Sequence, residues 1–294
     1  MDLPYDSSYN FRNETVALLE AKGVPVKYHH AENGGPGQVE IEVEFGTLRE
    51  MGDRTQKLKY ILKNNALKNG LTTTFMPKPF SDECGNGMHI HMHLFHKGES
   101  LFYKEGGYSN LSETALYAIG GILKHAPALM VFTNPSTNSY KRLVPGFEAP
   151  VRICYGTANR SAVIRIPGYA TEPKTKRFEL RSPDGTANPY LAYTAMLLAA
   201  ADGIDNRIDP QKEGFGPYDV NVYTLKESER NKIKGLPSSL LEACEALEKD
   251  HQFLLKGDIF SENLIQNQIQ RLKKEHYHIH KLPHPEEFRM YYDL

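Results

Sequence analysis

Carboxylates, imidazoles and guanidinium groups recur along this chain at spacings that strands would turn to one side. Glu32 and Glu40 flank the glycine-rich run Asn33-Gly34-Gly35-Pro36-Gly37. If the segments on either side pair, two carboxylates come from adjacent strands, and hard oxygen donors of that kind suit Mg²⁺ or Mn²⁺. A half-solvated acidic hairpin shows the same pattern, so this spacing alone does not choose. In Gly87-Met-His-Ile-His-Met-His-Leu-Phe95 a period of two puts His89, His91 and His93 on one face. Neutral imidazoles there could ligate a metal, zinc included, or bond phosphate, and three together would be costly to bury unpaired.

Arginine is the third group. Arg142, Arg152, Arg160, Arg165, Arg177 and Arg181 crowd one part of a chain that otherwise balances 35 Lys and Arg against 36 Asp and Glu. Planar forks of this type hold carboxylates and phosphates, while a surface salt bridge is the plainer reading of any one of them. Within Arg177-Phe-Glu179-Leu-Arg181, alternation aims one carboxylate between two guanidinium groups. The chain has no G-x-x-x-x-G-K-[ST] loop, no G-x-G-x-x-G at a strand–helix junction and no G-x-S-x-G elbow. The residues by themselves point to a metal-dependent site that handles anions, with no unique reaction.

These groups need strands to aim them and helices to back the strands. Residues 9–22 carry Phe11, Leu18 and Leu19 at helical spacing, with Gly23 as a stop. Residues 24–30 read as a strand. Residues 38–45 alternate Val39, Ile41, Val43 and Phe45 against Glu40, Glu42 and Glu44, a hairpin partner with an acidic face. Further helices are predicted over 50–69, 112–125, 189–204, 238–250 and 261–277, and strands over 71–76, 87–95, 161–167 and 176–181. Gly, Pro and charge concentrate over 205–235, ahead of an all-helical tail. Helices interleaved with polar-faced strands predict an α+β fold whose sheet turns its polar side to a cavity.

With 40% hydrophobic and 24% charged residues in 294, the composition is that of a folded protein with a sizeable core. A net charge of −1 gives no global drive toward nucleic acid or anionic lipid. Cys84, Cys154 and Cys244 are odd in number and outside any C-x-x-C arrangement, which argues against a disulfide framework and for a reducing cytoplasm. No apolar run reaches the ~18–20 residues of a bilayer span, and no signal segment follows Met1, so the expectation is a soluble, unexported protein.

Several blocks fall together in order: His29-His30-Ala-Glu32 with Gly37-Gln38-Val-Glu40, Phe75-Met-Pro-Lys-Pro, Gly85-Asn-Gly-Met-His89-Ile-His91, Asn134-Pro-Ser-Thr-Asn138-Ser-Tyr-Lys-Arg142-Leu-Val-Pro-Gly-Phe-Glu148, Asn159-Arg-Ser-Ala, Arg177-Phe-Glu179-Leu-Arg181 and Asn188-Pro-Tyr-Leu-Ala. In types, order and gaps they resemble the catalytic domain of prokaryotic-type glutamine synthetase, over nearly the whole chain. The resemblance implies a curved antiparallel sheet with flanking helices, a helical tail from about residue 236, and residues 1–294 as one catalytic domain.

It also implies ATP-dependent joining of ammonia to the γ-carboxylate of glutamate through γ-glutamyl phosphate. By the same resemblance Glu32 and Glu40 match ligands of one Mg²⁺ or Mn²⁺, and His89 and Glu179 match ligands of a second. Gly85, Arg142 and Arg181 match glutamate-holding positions, and Phe45, His91, Arg165, Lys174 and Arg177 match ATP-contacting ones. Arg160 matches the group that stabilises the phosphoryl in flight, and Glu148 the mobile carboxylate that shields the intermediate and helps deprotonate ammonium.

Members of the family begin with a small β-grasp domain and a Glu-x-Glu strand that gives one ligand to each metal, and Met1 starts downstream of both. The expectation is therefore weak or no turnover by this chain alone. The alternatives are a non-catalytic binding or assembly module, or a γ-glutamyl ligase using another amine. The implied partners are glutamate, ammonia and ATP, without nucleic acid or membrane, and a homo-oligomer of two hexameric rings. Cys84 stands where the family usually has Asn and His93 where it often has Ser or Gln, and Tyr223 lies near a tyrosine adenylylated in some members.

Overall fold

A computed structural model describes residues 6–35, 37–147 and 149–292. Helix α1 (Tyr9–Ala21) stops at Gly23, whose φ of +75° is the left-handed conformation glycine tolerates. The hairpin β1 (Val26–Ala31) and β2 (Val39–Val43) follows, antiparallel, with His30 opposite Glu40. Every residue of β2 is half-buried whichever way it points, so the apolar–acidic alternation does not separate a covered face from an open one.

Helix α2 (Leu48–Lys68) starts on a capping box: the Thr47 hydroxyl accepts from Glu50 N, and the Glu50 carboxylate accepts from Thr47 N. The predicted strand over 71–76 does not form. Leu71 N donates back to Ala66 O to close α2, Met76 N turns onto Thr74 Oγ1, and the prolines at 77 and 79 have no N–H to offer a ladder.

The strand predicted over 87–95 is shorter: β3 (Ile90–Met92), followed by the small hairpin β4 (Phe95–His96) and β5 (Glu99–Ser100). Helices α3 (Glu113–Lys124), α4 (Ala126–Thr133) and α5 (Ser139–Arg142) come next, then strands β6 (Arg152–Thr157), β7 (Ala162–Ile166) and β8 (Phe178–Leu180). The main sheet has the order β3-β8-β7-β6. It is mostly antiparallel, as expected, but β6 and β7 run parallel. The turn between them doubles back at Ala158, φ +54°, and Asn159 pins it: Oδ1 accepts from Ser161 N, and Nδ2 donates to Tyr218 O and Val220 O.

Helix α6 (Pro189–Asp205) begins at an Asn188 cap and lies directly on α3. A Cβ at Gly121 would sit 2.1 Å from Ala199 O, and one at Gly203 2.1 Å from Tyr117 O, so only glycines let the two backbones meet. Beyond the short α7 (Glu227–Arg230), the tail is α8 (Leu240–Lys249), α9 (Glu262–His280) and α10 (Pro285–Tyr291). Leu240, Leu247, Ile265 and Leu272 of this tail join Ile164, Phe178 and Leu180 of the sheet in one core.

Helix α4, buried on nearly every side, has no polar face and hence no amphipathic signal to read. Among the described residues no single helix is long and apolar enough to cross a membrane. The α3–α4 pair, bent by 75°, passes on composition and is largely core.

Candidate active site

Core packing decides which way the main sheet faces. Ile90, Met92 and Leu94 turn to the helical core, so the alternate residues His89, His91 and His93 turn away from it. Register then aligns three strands: Glu179 of β8 is paired with His91 of β3 on one side and with Arg165 of β7 on the other. Two residues from Glu179 in each direction, just past the ends of β8, are Arg177 and Arg181. The result is a band of alternating charge and imidazole across the sheet, built from cross-strand neighbours.

Glu179 is the hub and is fully buried. Its Oε1 accepts from Arg181 Nη1 at 3.1 Å and lies 3.0 Å from His89 Nδ1. Arg165 Nε is ion-paired with the other oxygen, Oε2. Burial pushes the Glu179 carboxyl up, but the His89 hydrogen bond and the charge of Arg181 outweigh it and hold the group well below the usual carboxylate range. Burial lowers His89 and brings His91 to about 4, so both rings are neutral at neutral pH. Neutral His89 donates Nδ1–H to Glu179, which leaves the lone pair on Nε2. His91 Nδ1 accepts from Arg177 Nε at 3.3 Å.

His93 leaves this group. Its Nε2 meets Ser100 Oγ at 3.0 Å, and its ring lies against Phe95, Phe102 and Phe45, with centroids 3.9, 6.1 and 6.0 Å away. The three-histidine zinc option therefore finds no support: the strand turns all three rings one way, but their partners diverge.

The hairpin carries a second cluster. His30, Glu32 and Glu40 offer ligand atoms within 4.8 Å of one another, the one group of three or more such residues among the described residues. His30 Nε2 lies 3.7 Å from Glu40 Oε1. Burial raises the Glu40 carboxyl, with His30 opposing and Glu32 adding to the rise, as expected of a carboxylate that lacks a full counter-charge. Sequence reading singled out both glutamates and passed over His30 as a ligand. The cross-strand pairing with Glu40 was the signal that would have found it.

Loop contacts bring hairpin and sheet together. Gln38 Nε2 donates to Gly85 O at 3.1 Å and to Asn86 Oδ1 at 2.9 Å, and Gly35 N donates to Glu83 Oε2 at 2.6 Å. Further along, Glu42 is within electrostatic reach of His91, and Phe45 meets His93 edge-on. Strand β2 thus runs beside β3 without pairing with it, and both are sheet edges among the described residues. Glu32 and Glu40 belong to the hairpin side of these contacts, and His89 and Glu179 to the sheet side.

Arg142 is buried beneath the glycine loop. Its Nη1 donates to Ser182 O at 2.7 Å and Pro183 O at 3.2 Å, and Nη2 to Arg181 O at 3.1 Å. A Cβ on Gly85 would lie 2.4 Å from Pro77 O and 2.7 Å from Arg142 Cγ, and one on Gly87 2.5 Å from Arg142 Nη2, so the loop reaches Arg142 only as glycine. Arg181 Nε donates to Arg160 O at 3.1 Å, while Arg160 itself is exposed. Lys174 is exposed on a short 3₁₀ turn, and Phe45 is half-exposed at the mouth. Tyr223 donates its hydroxyl to Ala149 O at 2.9 Å. Glu148 lies outside the described residues.

The family described as "Glutamine synthetase, catalytic domain" matches residues 2–291. Curated glutamine synthetases of Aquifex aeolicus and Streptomyces coelicolor are 48% and 49% identical over 99% of this chain. The chain spans 61% of the length of each. A Plasmodium falciparum glutamine synthetase solved by electron cryomicroscopy superposes with a TM-score of 0.87 at 31% identity, over 99% of this chain and 63% of that one. A GmaS/ADP complex gives a TM-score of 0.86 at 32% identity, over 99% of this chain and 66% of that one.

Proposed function

Because the chain belongs to the glutamine synthetase catalytic-domain family, we propose that it serves the ATP-dependent ligation of ammonia to glutamate, giving glutamine, ADP and phosphate through γ-glutamyl phosphate. The observation that supports this most is Glu179, a buried carboxylate ringed by His89, Arg165 and Arg181. A buried carboxylate beside a neutral imidazole suits a divalent cation.

On this reading Glu32 and Glu40, with His30 beside them, hold one Mg²⁺ or Mn²⁺, and His89 and Glu179 hold the second. Such ions, when bound, neutralise the phosphate oxygens of ATP. The chain's own residues do the rest. Arg142 and Arg181, under the glycines at 85 and 87, border the glutamate. Phe45, His91, Arg165, Lys174 and Arg177 line the ATP side. Arg160, exposed next to Arg181, meets charge on the moving phosphoryl group, and Glu148 excludes water and takes a proton from ammonium. The same reading carries a cytoplasmic ring oligomer.

A second reading, a binding or assembly module without turnover, is favoured by the two strands that are sheet edges among the described residues, β2 and β3. The test is glutamate- and ammonia-dependent ATP hydrolysis with Mn²⁺, measured on the chain and on the chain joined to the N-terminal region of a curated relative. Hydrolysis in the joined protein needing both co-substrates, with little in the chain alone, is expected. Hydrolysis in neither, with Mn²⁺ binding demonstrated by calorimetry, refutes the ligase and leaves the module. Preference for a larger amine in the same assay refutes ammonia as acceptor.

A further inference from the structure

Tyr169, on the loop after β7, is a large aromatic side chain left 65% exposed beside Arg177. An isolated exposed tyrosine needs no explanation, but this one is held in place. Arg177 Nη2 meets its hydroxyl at 3.2 Å, and the Arg177 guanidinium lies 5.4 Å from the ring centroid. Arg177 is fixed in turn: it is buried, Nη1 donates to Thr175 O at 2.9 Å and Nε donates to His91 Nδ1 at 3.3 Å. The contact through the hydroxyl anchors the phenol while leaving most of the ring in solvent.

Two more exposed aromatic rings come from the hairpin segment. Phe45 is 50% exposed and meets His93 edge-on. Tyr28, 42% exposed on β1, is within electrostatic reach of Tyr169. Tyr169 and Tyr28 thus leave two under-covered rings near Arg177, and Phe45 is exposed beside His93, so a flat, π-faced group would find ring faces to stack on here. Stacking on such rings needs no base-specific hydrogen bond.

We propose that Tyr169 is a positioning residue for the nucleotide, stacking its purine ring with Arg177 holding the phenol in place. This rests on the ATP reading above and adds to it a residue that the family resemblance did not supply. It also predicts a division of labour: the arginines of the sheet bind the phosphates, and Tyr169 contributes only when a base is present.

The test compares ATP with inorganic tripolyphosphate, which has the phosphates and no base, each titrated into the chain with Mn²⁺. Tyr169→Ala is expected to weaken ATP binding about tenfold, within the range that removal of one stacked ring produces, and to leave tripolyphosphate within twofold. Tyr169→Phe, which keeps the ring, is expected to hold ATP affinity within about threefold. If Tyr169→Ala weakens both ligands alike, the tyrosine merely supports Arg177 and the inference fails. If wild type binds ATP and Tyr169→Ala binds it equally well, the inference also fails while the ATP reading stands. If wild type binds neither ligand, the ATP reading fails and takes the inference with it.

Discussion

Replacing Glu179 by glutamine tests the hub of the site without changing its shape. Arg181 Nη1 and Glu179 Oε1 are 3.1 Å apart, where two unit charges attract by roughly 5 kcal/mol at an effective dielectric of ~20. Desolvation offsets much of that attraction, but removing one partner of a buried pair strands the other, at a cost of ~3–5 kcal/mol. Glutamine still accepts a bond from Arg181, so Glu179→Gln is expected to lose about 3 kcal/mol of unfolding free energy and Glu179→Ala about 5.

The assay is urea unfolding followed by circular dichroism at pH 7.5, with chelator present so that bound metal does not contribute. The sign of the pH dependence follows from the depressed carboxyl, whose ordinary value is near 4.5. Its stabilisation is fully present above that value and is lost as pH falls through the folded-state value. The gap between wild type and Glu179→Gln should therefore be constant from pH 7.5 down to about 5 and narrow below it. A Glu179→Gln protein within about 0.5 kcal/mol of wild type at pH 7.5 would refute the buried counter-charge reading.

Three other perturbations separate the parts. Gly85→Ala forces a Cβ to within 2.4 Å of the Pro77 carbonyl, and it should cost ~1–3 kcal/mol in unfolding experiments; an unchanged midpoint would mean the loop has room to move. Glu40→Gln, at a half-buried position of the hairpin, should lower Mn²⁺ affinity at least tenfold by calorimetry while the urea midpoint stays put. Burial, helped by Arg177, holds His93 down at about 4 against an ordinary 6.5, so its contribution to stability is complete above pH 6.5 and lost as pH falls toward 4. His93→Phe, which fits the aromatic surroundings, should flatten that part of the stability–pH curve, and an identical curve would argue that His93 does not titrate there.

Local pattern carried much of the site. The alternation in His89-Ile-His91 and Arg177-Phe-Glu179-Leu-Arg181 was enough to say which side chains share a face, because a strand turns successive residues to opposite sides whatever it pairs with. Helix ends were legible for the same local reason: Ser112, Asn188, Ser239 and Ser261 each cap the helix that follows. Other parts were not legible, among them the short helices α5 and α7. The segment 71–76 looked like a strand by residue type and found no partner. Strand β6 was passed over, and α4 carried no periodic signal because nearly all of it is buried.

From its sequence alone this protein has an α+β fold and a set of metal-ligand and anion-holding residue types, in an order that resembles one family. Only tertiary structure decided that Glu179 lies between His91 and Arg165, that His30 joins Glu32 and Glu40, and that His93 departs into an aromatic cluster. The physical reason is that side-chain direction follows from each strand's own backbone, whereas register and proximity depend on which distant segment supplies the neighbouring hydrogen bonds and core contacts.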